Sequence, residues 1–172
     1  YMTLLADFSY AYEIETHKKI TKEAFSKSVL SAGYLENIGI SSSDKLDQNK
    51  DSLEWMREGS AREDETIPSD FGGEWARYQH HFFDPTNGKG LDAYATVAGT
   101  PYHLTGYPAP EWALEEGVVS SYSKQLYSIK DAKSYYLTGL TATDKTTRLQ
   151  NLAKTFRALG QVMHTIQDMA QP

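Results

Sequence analysis

The chain contains no cysteine, so disulfides and thiolate metal sites are excluded, and any bound cation must be held by imidazoles and carboxylates. It also lacks a long apolar run. No stretch approaches the roughly 20 residues that a membrane-spanning helix requires. An excess of positive charge is missing as well: 17 Lys and Arg are scattered among 23 Asp and Glu, a formal net charge of -6. Without a basic stripe, neither duplex nucleic acid nor an anionic bilayer is indicated, and no stable nucleic-acid partner is expected. Proline is scarce, at 6 residues, and most of it falls between positions 60 and 110.

What is present suffices for a core. The 172 residues are 40% apolar and include 12 Tyr, 6 Phe and 3 Trp, which fits one domain of common size. No internal repeat, low-complexity tract or linker divides the chain, so residues 1–172 read as a single domain. The opening stretch, Met2 to Ala11, is a short apolar run ending in small residues at Ser9 and Ala11. It has the form of an export-signal remnant as well as of an ordinary amphipathic segment. Cleavage after Ala11 would leave Tyr12 as the mature start and place the protein in a secreted or periplasmic setting.

Helical periodicity dominates, and the predicted fold class is all-α. A first helix is expected from Thr16 to Ala32, stopped by Gly33, with His17, Ile20, Ala24 and Ser28 on one stripe. A short helix with Leu53, Trp55 and Met56 is expected over Asp51 to Glu58, ended by Gly59. Residues 60–110 are rich in glycine and proline and read as a long irregular region, a feature usually tied to function. Helix is expected again after Pro110, with Trp112, Val118, Val119, Tyr122, Leu126 and Ile129 as its apolar set, then over Ala132 to Leu137. The last helix is the clearest. Thr143 or Asp144 caps it, and Leu149, Leu152, Phe156, Leu159, Met163 and Ile166 form its core stripe.

On that last helix His164 and Asp168 lie one turn apart, beside the stripe, so imidazole and carboxylate project together and can grip one cation. Gly160, a turn earlier, permits close packing there. An isolated pair of this kind is more often a core histidine and a solvated aspartate, so other residues must decide. Three elements are available: the acidic run Arg62-Glu63-Asp64-Glu65, the stretch Gln79-His80-His81-Phe82-Phe83-Asp84-Pro85, and His17. Two imidazoles and two carboxylates make a four-ligand N/O set suited to zinc. His103 has no partner at suggestive spacing and reads as structural.

Three segments, Glu58-Gly-Ser-Ala-Arg-Glu-Asp64-Glu, His81-Phe-Phe-Asp-Pro-Thr-Asn-Gly88 and Leu159-Gly-x-x-x-His164-x-x-x-Asp168-x-x-x-Pro172, resemble in order and spacing the bacterial zinc-dependent phospholipase C family, related to the S1/P1 nucleases. The resemblance runs from His17 onward. It implies a multi-helix bundle around a cleft with up to three Zn2+ ions. By position, Asp64, His81, His164 and Asp168 are implied to hold one zinc, with Asp168 bridging to a second held by His17 and the mature N-terminus. In the family a histidine two residues past the proline and a later His-x-x-x-Glu pair hold the remaining ion. Those positions fall beyond Pro172, so the resemblance implies the N-terminal part of a longer domain.

The implied chemistry is hydrolysis of a phosphodiester by zinc-activated water, with Asp64 as general base. The implied substrate is a phospholipid head group, met in transient contact with a membrane surface. A nucleotide phosphodiester, as in the nuclease branch, is the alternative, and a non-catalytic metal-stabilised helical domain is a third reading. In the phospholipase branch aromatic rings hold the choline. Here Glu65 stands where one ring is expected, and Tyr78 remains to supply another; a cation over a ring gains about 0.5–2 kcal/mol.

Overall fold

The computed structural model describes residues 13–41, 43–64, 77–97, 99–115, 117–119 and 124–170. Among the described residues the fold is mostly helical with one small two-stranded sheet. Chain order gives α1 (Ile14–Ser26), α2 (Leu35–Asn37), α3 (Ser52–Arg62), β1 (Asp92–Val97), β2 (Thr100–Thr105), α4 (Ala109–Leu114), α5 (Ile129–Thr141) and α6 (Lys145–Met169). Helix α6 is the axis of the bundle, packed against α1, α3, α4 and α5. Among the described residues no helix is long and apolar enough to cross a membrane.

Helix α6 starts where a cap is available. Asp144 has extended backbone, and its carboxylate accepts from Thr147 N at 2.7 Å, satisfying an otherwise orphaned donor. Its first two-thirds bury Leu152, Ala153 and Phe156 into a core shared with Phe25, Leu35, Ile40, Leu46, Trp55 and Met56. Its last third buries polar groups instead: Gln161, His164, Thr165 and Gln167. Ile166, expected on the core stripe, is 55% exposed. By that point the stripe has drifted round the helix, and the face turned inward carries His164 and Gln167.

Other expectations are corrected. Helix α1 ends at Ser26 rather than Ala32, because the Ser26 and Ser28 hydroxyls bond back to the carbonyls of Glu23 and Phe25 and compete with the helical ladder. A π-helical turn over Leu30–Tyr34 follows, with Gly33 at φ 97°. The buried stripe of α1 is His17, Thr21 and Phe25; turning Phe25 inward in place of Ala24 removes far more apolar surface from water. The helix expected to run on from Pro110 stops at Leu114, Gly117 adopts φ 71°, and Val119 is exposed in an isolated bridge to Lys124. Tyr122 lies outside the described residues. The irregular stretch holds an antiparallel hairpin, with Tyr94 opposite His103, so the fold is helical with a β insertion.

One more correction bears on the site. Gly59 does not end α3, which a reciprocal capping box of Asp51 and Glu54 begins and which continues to Arg62. Gly59 lies where α3 crosses α6: a Cβ there would sit 2.1 Å from Arg157 O, and a Cβ on Gly160 would sit 2.0 Å from Met56 O. The two helices therefore meet backbone to backbone through one glycine on each. Gly160→Ala is expected to cost about 1–3 kcal/mol or more, because backbone atoms must retreat. Gly139→Ala, whose Cβ meets the Leu152 side chain at 3.0 Å, is expected to cost less. Urea unfolding of both variants measures this, and a Gly160→Ala protein as stable as the parent would refute the close crossing.

Candidate metal centre

The crossing brings the end of α3 against the last third of α6, and the predicted ligands converge there. Asp64 follows α3 directly, His164 and Asp168 project from α6, and His81 follows a 3-10 turn at Arg77–His80. One ligand atom from each of these four lies within 4.8 Å of all the others, and the cluster can hold a metal ion. The contacts are His81 Nδ1 to Asp168 Oδ2 at 2.6 Å, His164 Nε2 to Asp168 Oδ2 at 3.1 Å, His164 Nε2 to Asp64 Oδ1 at 3.4 Å and His81 Nδ1 to Asp64 Oδ1 at 3.8 Å. Tetrahedral ligands about 2.1 Å from an ion stand roughly 3.4 Å apart, and these separations bracket that value.

His17 completes the group from the other side. Its Nε2 lies 3.3 Å from Asp168 Oδ1 and 3.8 Å from Asp64 Oδ2, so each aspartate turns one oxygen to the His81–His164 pair and the other to His17. The His17 and His164 rings stack at 3.8 Å. His17, His164, Asp64 and His81 are buried, and Asp168 is half-buried. Among the described residues, Asp64 Oδ2 and Asp168 Oδ1 accept no hydrogen bond. Buried carboxylate oxygens in that state cost roughly 1–3 kcal/mol each, and a cation beside them removes the penalty.

Each imidazole is oriented through its far nitrogen. His17 Nδ1 donates to Gln167 Oε1 at 2.7 Å, and Gln167 Nε2 donates in turn to Thr21 Oγ1 at 3.2 Å. His164 Nδ1 donates to the Ser60 carbonyl at 2.6 Å, a bond the glycine crossing makes possible. His81 Nε2 faces Glu63 Oε2 at 3.5 Å. Such outer acceptors fix the tautomer and leave the inward nitrogen as a lone pair. Sequence reasoning did not single them out. Gln167 stands at the same helical face as His164, three residues on, so its spacing carried a signal; the long-range link of Glu63 to Arg77 carried none.

Electrostatics divide the rings. Burial works against charge on His164, but hydrogen bonds and charge from Asp168 and Asp64 outweigh it and push the ring up to about 10. His81 is raised in the same way: burial opposes, and the Asp168 and Glu63 contacts prevail. Burial would raise Asp168, yet the His164 and His81 contacts hold it well below the usual carboxylate range. Burial and the neighbouring His164 charge lower His17. His80 points elsewhere, stacked on Trp112 at 3.9 Å with Nδ1 accepting from Tyr107 N, and burial takes it down to about 4.

The other predicted positions stand apart from this group. Tyr78 is half-buried in the turn before His81, and its carbonyl accepts from His81 N. Among the described residues its ring stacks on none of the site imidazoles. His103 is an exposed hairpin residue paired with Asp92 at 2.6 Å and stacked on Tyr94. Glu65, Tyr12 and Pro172 lie outside the described residues. No protein-family model, curated protein or solved structure matches the chain.

Two outcomes are expected. Alanine at Asp64, His81, His164 or Asp168 should remove bound metal, measured as metal per chain by elemental analysis; full retention in any of them would exclude that ligand. Binding should also release protons. The metal-free site keeps His164 protonated up to about pH 10, and ligation needs the neutral ring, so apparent affinity should rise about tenfold per pH unit from 7 to 9 for each proton displaced. The sign for folding is opposite: the His164 pairing stabilises the metal-free fold below the ring's ordinary 6.5 and is lost as pH climbs through about 10. Calorimetry in buffers of different ionisation enthalpy measures the proton count, and zero protons released would contradict the assignment.

Proposed function

We propose that this protein is a zinc-dependent hydrolase of phosphodiester bonds of the phospholipase C type, of the bundle architecture shared with the S1/P1 nucleases and exported from the cell. The observation that carries the reading is the meeting of His17, Asp64, His81, His164 and Asp168 in one buried cluster, from four separate parts of the chain. The donors suit zinc: all are nitrogen or oxygen, and two carboxylates balance a dication. A zinc ion held there supplies Lewis acidity and an acidified water near neutral pH.

The chain's own residues do the rest. Asp64 presents Oδ1 to the His81–His164 pair, while Oδ2, turned toward His17, accepts no hydrogen bond among the described residues and is the acceptor for a proton from water. Asp168 faces both sides of the cluster and fixes the spacing between His17 and the other rings. Phospholipid head groups are the proposed substrates, reached in transient contact with a membrane surface.

A second reading is favoured by the depth of the cluster, since His17 and His164 have no exposed surface. A closed site is typical of structural zinc, which stabilises a fold without turnover. The full-length protein with a chromogenic phosphocholine ester separates these cases. Hydrolysis abolished by chelator and restored by zinc is the expected result, with Asp64→Asn at saturating zinc slower by about 10²–10⁴-fold. Cleavage of single-stranded nucleic acid without ester hydrolysis would move the assignment to the nuclease branch. Bound zinc, a lower Tm on chelation and no turnover of either substrate would establish the structural reading.

A further inference from the structure

The outer acceptors of the three rings are not alike. His17 leans on the neutral amide of Gln167 and His164 on the neutral carbonyl of Ser60, whereas His81 faces a carboxylate. That carboxylate, Glu63, is 1% exposed and is gripped by a fully buried arginine: Arg77 Nε donates to Oε2 at 3.1 Å and Nη2 to Oε1 at 2.5 Å. The fork fixes both oxygens of Glu63 in plane. Arg77 in turn donates to Gln125 Oε1 at 2.9 Å and Gln161 Oε1 at 3.3 Å, and its guanidinium lies 4.9 Å over the Trp112 ring. Gln125 is itself anchored by a 2.6 Å bond to the Trp112 carbonyl.

A buried ion pair is costly to desolvate and is weak evidence of stabilisation, so its position is the informative feature. Glu63 Oε2, which also accepts from Arg77 Nε, faces one ring nitrogen of His81, while the other nitrogen faces Asp168 Oδ2 at 2.6 Å. The two nitrogens of an imidazole point away from each other, so the partner of one decides the role of the other. We propose that Glu63, clamped by Arg77, is a positioning residue that accepts the Nε2 proton of His81 and commits that ring to bind metal through Nδ1, the reverse of Nε2 ligation by His164. The inference rests on the metal-centre reading above. A charged acceptor also polarises the His81 ring more than a neutral one would, which tightens the grip of its inward nitrogen on a metal.

Zinc titration of the full-length protein, followed by long-range proton–nitrogen correlation of the imidazoles, tests this on the unaltered chain. The expected result is a metal-induced shift at His81 Nδ1 with Nε2 still protonated, and the opposite pattern at His164. Zinc at His81 Nε2, or a shift at His164 with none at His81, overturns the positioning role while leaving the metal centre standing. No shift at any ring overturns the metal centre and this inference with it. Glu63→Gln is expected to weaken zinc binding about 10–100-fold. Because that change strands the Arg77 charge, E63Q/R77M serves as the folded counterpart. Unchanged zinc affinity in either variant, with helical circular dichroism intact, contradicts the proposal.

Discussion

Two carboxylates taken out of water within a few ångströms of each other set the terms for the rest of this molecule. Asp64 and Asp168 repel, and each keeps one oxygen without a hydrogen bond among the described residues. Burying such groups costs several kcal/mol unless positive charge lies between them. In the metal-free protein that charge is a proton on His164, supported by His81, which explains why Asp168 is held well below its ordinary range. A divalent ion held by the same four side chains would do the same job in place of the proton. Proton and metal would thus be alternative occupants of one electrostatic well.

The bundle is arranged to hold that well closed. Helix α6 changes character along its length, from an apolar face around Leu152 and Phe156 to a polar buried face around His164. The change occurs at Gly160, where α3 approaches backbone to backbone with Gly59 answering it. Any larger residue there would separate the helices, and Ser60 O would no longer reach His164 Nδ1. Packing and ligand orientation are one constraint at this crossing. On the far side Arg77 is paired with Glu63, which ties the turn that carries His81 to the residue beside Asp64.

Much of this was legible from residues. Alternating spacing marked α6, with its start at Thr143 or Asp144, and one helical turn between His164 and Asp168 put the two on one face. His17, Asp64 and His81 were found through their motifs, and the structure brings them to that same face. Glycine was the poorest guide. At Gly59 it reads as a helix stop by local propensity, yet its role is tertiary, and nothing local distinguishes the two. The hairpin was missed for a comparable reason: glycines and prolines around it speak for irregular chain, while the alternation of Tyr94, Thr96, Tyr102 and Leu104 that marks strands is short. Glu63 and Arg77 could not be paired from sequence, because charge complementarity between residues 14 apart in the chain follows no helical or strand period.

The most direct test is crystallographic. A crystal soaked in zinc should show one anomalous peak within about 2.0–2.2 Å of His81 Nδ1, His164 Nε2 and one oxygen each of Asp64 and Asp168. A protein that takes up zinc only at surface carboxylates, with these four side chains paired to one another and no peak between them, would contradict the metal centre and the hydrolase built on it.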